Sequence, residues 1–454
     1  MPTTKSKSVP VEDWPVLQPD AAGLDIGAEE IWVSVPVDRA PETVRAFGTF
    51  TPELYTLADW LTVCRIKSVA MESTGVYWIP IYEILEARGF QVFLVNARHL
   101  QNVAGRKSDV KDCQWIQRLH SCGLLNASFR PEAEMCALRA YLRHRATLVT
   151  YRAAHIQHMQ KALQQMNVQL TQVLSDLTGL TGLQIIRAIV AGQRDPVQLA
   201  QLRNPRCRSS HDDIAKALTG NYRPEHVFAL KQALTLYDVY TQQLQDCDAE
   251  IERHYAALKP RFDDTPPPPL PPDAKTNTHS KNDPAGEVRA QLYRLLGVDL
   301  TAVAGLHAST VQTIVSEIGT DMSKWRTDKH FCSWLGVAPH NDITGGKVQR
   351  SRTLKVRNRA AQALRMAAQS LSRSDSALGA FYRQLRARVG PEQAITATAH
   401  KLARIVYHML KTRQPYHELG LEEYEARYRE RRFKALQHQA AKLGYHLVPQ
   451  PDPA

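Results

Sequence analysis

"GLDIGAEEIWVSVPV", Gly23 to Val37, decides how the first part of this chain reads. Its β-branched and apolar residues, ending in a Pro-Val turn, predict a strand. Asp25, early in that strand, needs an explanation, because acids are disfavoured in strands and rarely buried without partners. Working outward, "TVRAFGTF" predicts a second strand, and "TPELYTLADWLTV" a helix with a threonine cap and apolar residues at helical spacing. "SVAMES" predicts a short buried strand ending near Glu72, "GVYWIPIYEILEARGF" a helix with an early proline, and "QVFLVN" another apolar strand. This alternation, running to about Leu125, predicts an α/β domain with a mixed sheet. Residues 1–20 read as a disordered tail.

After the last strand comes "GRKSDVKDCQWI", Gly105 to Ile116, with Asp109 and Asp112 three residues apart and Lys107 and Lys111 beside them. Ser108 can cap a helix that starts at Asp109. Taken alone, such a pair is ordinarily a partner of the helix dipole or a solvated face. Taken with Asp25 and Glu72, it becomes a constellation, since strand ends that meet a helix N-terminus can gather four carboxylates around one point. Such a cluster repels itself unless cations occupy it, and hard, oxygen-preferring Mg²⁺ or Mn²⁺ suits it. Two such ions, roughly 4 Å apart, can clamp a phosphodiester and activate water or a hydroxyl. Lys107 and Lys111 would then face a nucleic-acid backbone.

The pattern then turns helical. Ile156, Met159, Leu163, Met166, Leu170 and Val173 form one heptad seam, and Leu230, Tyr237, Leu244 and Ile251 a second. They predict two long helices in an antiparallel hairpin or an intermolecular coiled coil. The glycines and prolines of 179–225 predict a broken helical insertion between them. "DDTPPPPLPPDAKTNTHSKNDP", residues 263–284, is a linker favouring extended backbone. "LTAVAGLHASTVQTIVSEIG" has a faint helix-hairpin-helix pattern. From Lys347 to Arg413 fifteen lysines and arginines face only two acids, Asp375 and Glu392, so a polyanion belongs mainly against the C-terminal part. Lys347, Arg350, Arg352, Lys355, Arg357 and Arg359 would cradle DNA or RNA phosphates. The net charge of +12 points the same way. Seven cysteines without a C-x-x-C pair speak against a zinc ribbon or a disulfide framework. No apolar run near 20 residues predicts a membrane span, and the N-terminus lacks the apolar core of a signal peptide. A cytoplasmic protein is therefore expected.

Strand-Asp, strand-end Glu and K-x-D-x-x-D on a helix together resemble the RNase H/RuvC-like fold. "GLDIG", "ESTGVYW", "NARHLQNVAGRKSDVKD", "LRAYLRHRATLV", "FCSWLGVAPHNDITGGKV" and "ATAHKLARIVYHMLK" resemble, in order, segments of the DEDD transposases of the insertion-sequence one-ten family, including its eleven-eleven subgroup. The resemblance implies a RuvC-like domain over 21–130 and a mostly α-helical transposase domain over 285–418; it does not explain the coiled-coil helices with a helical insertion over 131–262, which the heptad pattern predicts, and a charged helical tail is expected over 419–454. It implies a recombinase that cuts and rejoins donor and target DNA of its own mobile element. A non-coding bridge RNA from the element would guide it, in a dimer or tetramer near the nucleoid. Asp25, Glu72, Asp109 and Asp112 align with the family's metal-binding tetrad. The family's nucleophilic serine, which precedes a glycine, aligns with Thr344 in "NDITGGKV". Threonine keeps a hydroxyl, but its methyl restricts the rotamer. Ser351 is the fallback nucleophile, and a catalytically impaired nucleic-acid-binding copy is a further alternative. A metal-dependent, junction-resolving endonuclease using water needs only the four acids. An ATP-binding actin- or sugar-kinase-type fold would also use a D-x-G after a strand, but fits the acidic pair and the basic C-terminal half poorly.

Overall fold

The computed structural model describes residues 14–73, 75–96, 109–258, 262, 266–269, 282–284, 286–356 and 358–447. The chain forms two compact units, Met1–Arg130 and Pro131–Ala454.

The first unit is a five-stranded sheet in the order β3-β2-β1-β4-β5. Its strands are β1 (Ala21–Ile26), β2 (Glu30–Ser34), β3 (Val44–Gly48), β4 (Ser68–Glu72) and β5 (Gln91–Val95), and its helices α1 (Thr51–Val63), α2 (Trp78–Ala87) and α3 (Asp109–Ser121). Pairing is antiparallel among β1, β2 and β3 and parallel among β1, β4 and β5, which gives the mixed sheet expected. The stretch Gly23–Val37 is two strands, not one, because the chain turns at 27–29 and Gly27 N–H donates to Glu30 O at 2.9 Å. Asp25 is therefore near the end of β1 rather than early in it. Leu57, Leu61, Ile81 and Leu85 are fully buried with the apolar residues of one sheet face. α1 is not capped by a threonine side chain. Thr51 is its first residue, and the Glu53 carboxylate accepts from Phe50 N–H at 3.3 Å. Trp14 and Leu17, expected in a tail, are held against α3. Leu17 N–H donates to Ser121 O at 2.8 Å, Arg118 donates to Trp14 O at 3.0 Å, and the Trp14 and Trp115 rings lie 6.5 Å apart. Burial of indole surface outweighs the polar composition of that segment.

In the second unit α4 (Ala133–Gln165) and α9 (Pro224–Ala257) are long helices packed along each other. Arg145 pairs with Asp248, and the Tyr151 ring lies 5.6 Å from Tyr240. Positions rise on one helix as they fall on the other, so the pair is antiparallel. The second seam is continuous and buried, whereas the first breaks at Met166, where α4 ends. Leu170 and Val173 belong to a separate turn, α5 (Leu170–Val173). With α6 (Leu180–Val190), α7 (Pro196–Ala200) and α8 (His211–Ala217) that turn caps the tip of the pair, and Ile185, Ile186, Ile189 and Ile214 share one apolar core with Met159 and Leu163 of α4 and Leu230 and Leu234 of α9. Asn221 N–H donates to Met166 O at 2.9 Å, so the chain enters and leaves this helical head at one place.

The remaining elements are α10 (Val288–Leu296), α11 (Ala308–Ile318), α12 (Asp328–Trp334), the ribbon β6 (Pro339–Thr344) and β7 (Lys347–Thr353), α13 (Arg359–Ser370), α14 (Ala377–Val389), α15 (Pro391–Thr412) and α16 (Leu421–Lys442). The faint helix-hairpin-helix is a three-residue 3₁₀ turn, Leu300–Ala302, followed by α11. α15 is central, burying Leu402, Val406, Tyr407 and Leu410. Side-chain caps start its neighbours: Thr327 for α12, Asn358 for α13 and Ser376 for α14. The sequence separates 131–262 from 285–418, but the structure joins them, because Arg143 of α4 makes a two-pronged pair with Glu317 of α11 at 3.0 and 2.8 Å. Most of 263–284 and all of 1–13 lie outside the described residues.

Candidate active site

β1 is fully buried from Ala21 to Leu24 and emerges only at Asp25 and Ile26. β4 behaves alike, buried from Ser68 to Met71 and emerging at Glu72. The acids thus fall where their strands leave the core, which removes the cost of burying them. Leu24 pairs with Met71 in the parallel register, so the next positions, Asp25 and Glu72, are neighbours on adjacent strands. Parallel neighbours in register share a sheet face.

The other half comes from α3, seated on β1 through a glycine. A Cβ on Gly23 would lie 2.2 Å from Gln117 N and 2.4 Å from Cys113 O, so only glycine admits the helix backbone this close. Asp25 is two residues along on the same face as Gly23. Two strand residues advance about 7 Å, close to one helical turn. The helix runs against β1, with Gln117 Nε2 reaching Ala21 O at 3.4 Å, so Asp25 lies at the level of α3's first turn. The Cys113 thiol there is pushed up to about 12, chiefly by burial, then by the charge of Asp25, with Asp112 adding to it. Asp25 and Asp112 thus act on one buried sulfur from strand and helix. Asp109 is the first residue of α3, three before Asp112, and its side chain lies outside the described residues, as do Lys107 and Ser108. Lys111 is exposed.

Asp25 and Glu72 thus emerge on neighbouring strands at one end of the sheet, and Asp112 lies in the first turn of the helix seated on β1, all three being oxygen donors of the kind a hard divalent cation takes. Among the described residues, however, no group of three or more His, Cys, Asp or Glu is placed to hold a metal ion.

Thr344 ends β6 and faces Lys347 across the two-residue turn Gly345-Gly346, where φ is +58° and +74°. Two positive φ values require glycine-like residues in such a hairpin. Asp342 pairs with Arg350 and Ile343 with Val348, which leaves Gln349 as a bulge. The extra residue decides the chemistry of each face. Thr344, Asp342 and His340 share one face with Lys347, Arg350 and Arg352, and Arg352 lies 3.8 Å from Asp342. Ser351 pairs with Asn341 on the opposite face, beside exposed Ile343 and Val348. Thr344 and Ser351 therefore cannot serve the same reacting phosphorus from one side of the ribbon. Lys355 follows the ribbon and Arg359 begins α13, both exposed, while Arg357 lies outside the described residues. The sequence did not reveal the roles of Gly23, Cys113 or Gln349. Only the small residue two places before Asp25 hinted at the first.

Two regions of the chain match models of transposase families. Residues 22–168 match a transposase model for the DEDD enzymes of IS110, and residues 299–383 match the transposase IS116/IS110/IS902 family. The first match spans the sheet, α3 and the whole of α4, and the second contains the ribbon with Thr344. No curated protein matches the chain. The class supported is an enzyme acting on DNA, a transposase. The two matches, in order along one chain, support its placement in the IS110 family. Among the described residues no helix is long and apolar enough to cross a membrane.

Proposed function

We propose that this transposase cuts and rejoins the DNA strands of its element with two sets of groups. Asp25, Glu72, Asp109 and Asp112 bind Mg²⁺ or Mn²⁺, which when bound would neutralise charge at the scissile phosphodiester. The Thr344 hydroxyl is the nucleophile. Attack of its Oγ1 on phosphorus forms a protein–DNA phosphodiester, and the displaced sugar oxygen leaves as a hydroxyl. Attack by another strand's hydroxyl reverses the linkage and frees Thr344. Lys347, Arg350 and Arg352, on the Thr344 face, hold the phosphates on either side. Lys355, Arg357 and Arg359 extend that track, and Lys107 and Lys111 hold backbone near the acids. An element-encoded guide RNA selects donor and target DNA, and a dimer or tetramer acts on the two ends near the nucleoid.

The observation that carries this reading is the adjacency of Asp25 and Glu72 at neighbouring strand ends beside the first turn of α3. The test is a divalent-dependent cleavage assay on element-end DNA, followed by denaturing electrophoresis for a protein–DNA adduct. Adduct in the parent and in Ser351→Ala, with none in Thr344→Ala, supports the assignment; adduct persisting in Thr344→Ala removes it. The water-based endonuclease stays as a second reading for one reason. Among the described residues, none of the recorded side-chain hydrogen bonds involves the Thr344 hydroxyl. Cleavage without adduct would favour that reading.

A further inference from the structure

The C-terminal helix α16 touches its neighbours mainly through its first turn. Leu421 and buried Tyr424 pack on Ala377, Ala380 and Phe381, and Tyr424 Oη donates to Gln384 Oε1 at 3.1 Å. Beyond that turn the helix stands away from α14 and α15 and leaves an open cavity of about 560 Å³, walled by the 413–420 connection. That volume falls within the range of small-molecule and nucleotide pockets.

The wall chemistry is specific. Lys401 of α15 is half-buried, its ammonium 4.2 Å from the Phe381 ring centroid and 5.7 Å from that of Tyr424. Among the described residues it has no carboxylate within ion-pair distance. Burial holds its pKa below the usual lysine range, with nearby Glu418 raising it and Arg431 lowering it further. Glu418 is itself committed, accepting from Leu378 N–H at 2.8 Å at the start of α14. Arg427 and Lys434 also line the cavity, but each holds a carboxylate on its own helix, Glu423 and Glu430, at 2.6 Å. Glu430 also lines the cavity, so its walls set four cations, Lys401, Arg427, Arg431 and Lys434, against one carboxylate, a surplus that favours an anionic ligand. Apolar Leu419 and aromatic Tyr416 line it as well.

We propose that this cavity binds one nucleotide of a single-stranded nucleic acid, with its phosphate on Lys401 and Arg431 and its base against Tyr416. An acidic peptide would use the cations and leave the aromatic wall idle. A nucleotide uses both, because bases stack on aromatic rings while the backbone follows positive charge. A duplex keeps its bases stacked inside and cannot offer one to Tyr416. The assignment rests on the chain being a nucleic-acid enzyme but not on the carboxylates or Thr344.

The test is fluorescence anisotropy of the full-length protein with labelled single-stranded DNA and RNA oligonucleotides and with a duplex of the same sequence. Arg431→Gln, at an exposed position, and Tyr416→Leu are expected to weaken single-strand binding about five- to tenfold. Arg431→Gln should also reduce the salt slope by about 0.7. Duplex binding and thermal melting should stay unchanged. Lys401→Gln should repeat the loss and is judged only beside its melting curve. If the parent binds and the Arg431 and Tyr416 variants bind equally well, the pocket assignment fails alone. Equal losses on duplex would overturn the single-strand assignment, and a parent that binds neither probe would remove the underlying reading as well.

Discussion

The sheet end that carries the acids and the ribbon that carries Thr344 are built by opposite means. Asp25 and Glu72 continue strands that are buried up to the preceding residue, and Asp112 rides on a helix in backbone contact with Gly23. Nearly every residue of β6 and β7 is exposed, and a turn and a bulge, not a core, set their geometry. Packing fixes the first set before any ligand arrives. The second set is ordered only within its own exposed ribbon. Damage to the packing beneath the first set should therefore register in both stability and activity, and damage to the second set in activity alone.

The sharpest test is Asp112→Asn. On the proposed role of Asp112 as a metal ligand, losing its charge should cost several kcal/mol, roughly a thousandfold in cleavage rate. Melting should barely change, and a variant retaining more than a tenth of parental cleavage would remove Asp112 from the site. Gly23→Ala tests the framework directly. A methyl driven against the α3 backbone should cost about 3 kcal/mol or more, read by urea unfolding; a neutral result would mean α3 is not seated as described.

The same framework should respond to acid. His120 is fully buried, its Nε2 3.0 Å from Ser68 Oγ, and burial pulls its pKa down to about 4. Its folded pKa lies below the unfolded value near 6.5, so between those pH values the unfolded chain binds the extra proton. Stability contributed by neutral His120 is whole above pH 6.5 and falls as the pH drops towards 4. The loss is at most about 3 kcal/mol, and His120→Gln should flatten it in pH-dependent melts. On the ribbon, replacing Arg350 and Arg352 together by glutamine should remove two cations from the Thr344 face. Duplex binding should fall about tenfold with no change in melting. The smallest effect is expected from Thr344→Ser, which frees the rotamer and should raise adduct formation a few-fold; a fall would argue against Thr344 as the attacking group.

Element types in the first unit were legible because periodicity and flanking turns agreed. The break at 27–29 was not, since "GAEE" carries only a weak turn signal inside an apolar run. The acids were legible as anomalies: Asp25 and Glu72 sit where strand composition disfavours them. Their adjacency was not, because register depends on which strands pair. The first seam misled beyond Met166, where Leu170 and Val173 kept the heptad spacing although they enter the same core from another helix. Gln349 shows the limit most clearly, since a bulge is invisible in a run of alternating polar residues until the partner strand is known.

The helical head at 167–220 has a consequence for how this chain changes length. One hydrogen bond, between Asn221 and Met166, closes its neck, its apolar core runs on into the ends of α4 and α9, and the first family match stops at residue 168 while the second starts at 299. Topologically it is a single long connection, and closing a longer connection costs only slowly increasing entropy. A short turn joining Met166 to Asn221 would leave α4 and α9 the same ends to meet, but it would bare Met159, Leu163, Leu230 and Leu234 to water. The head is thus a lid as well as a connection, and any domain grafted in its place must bring an apolar face of its own to cover those ends.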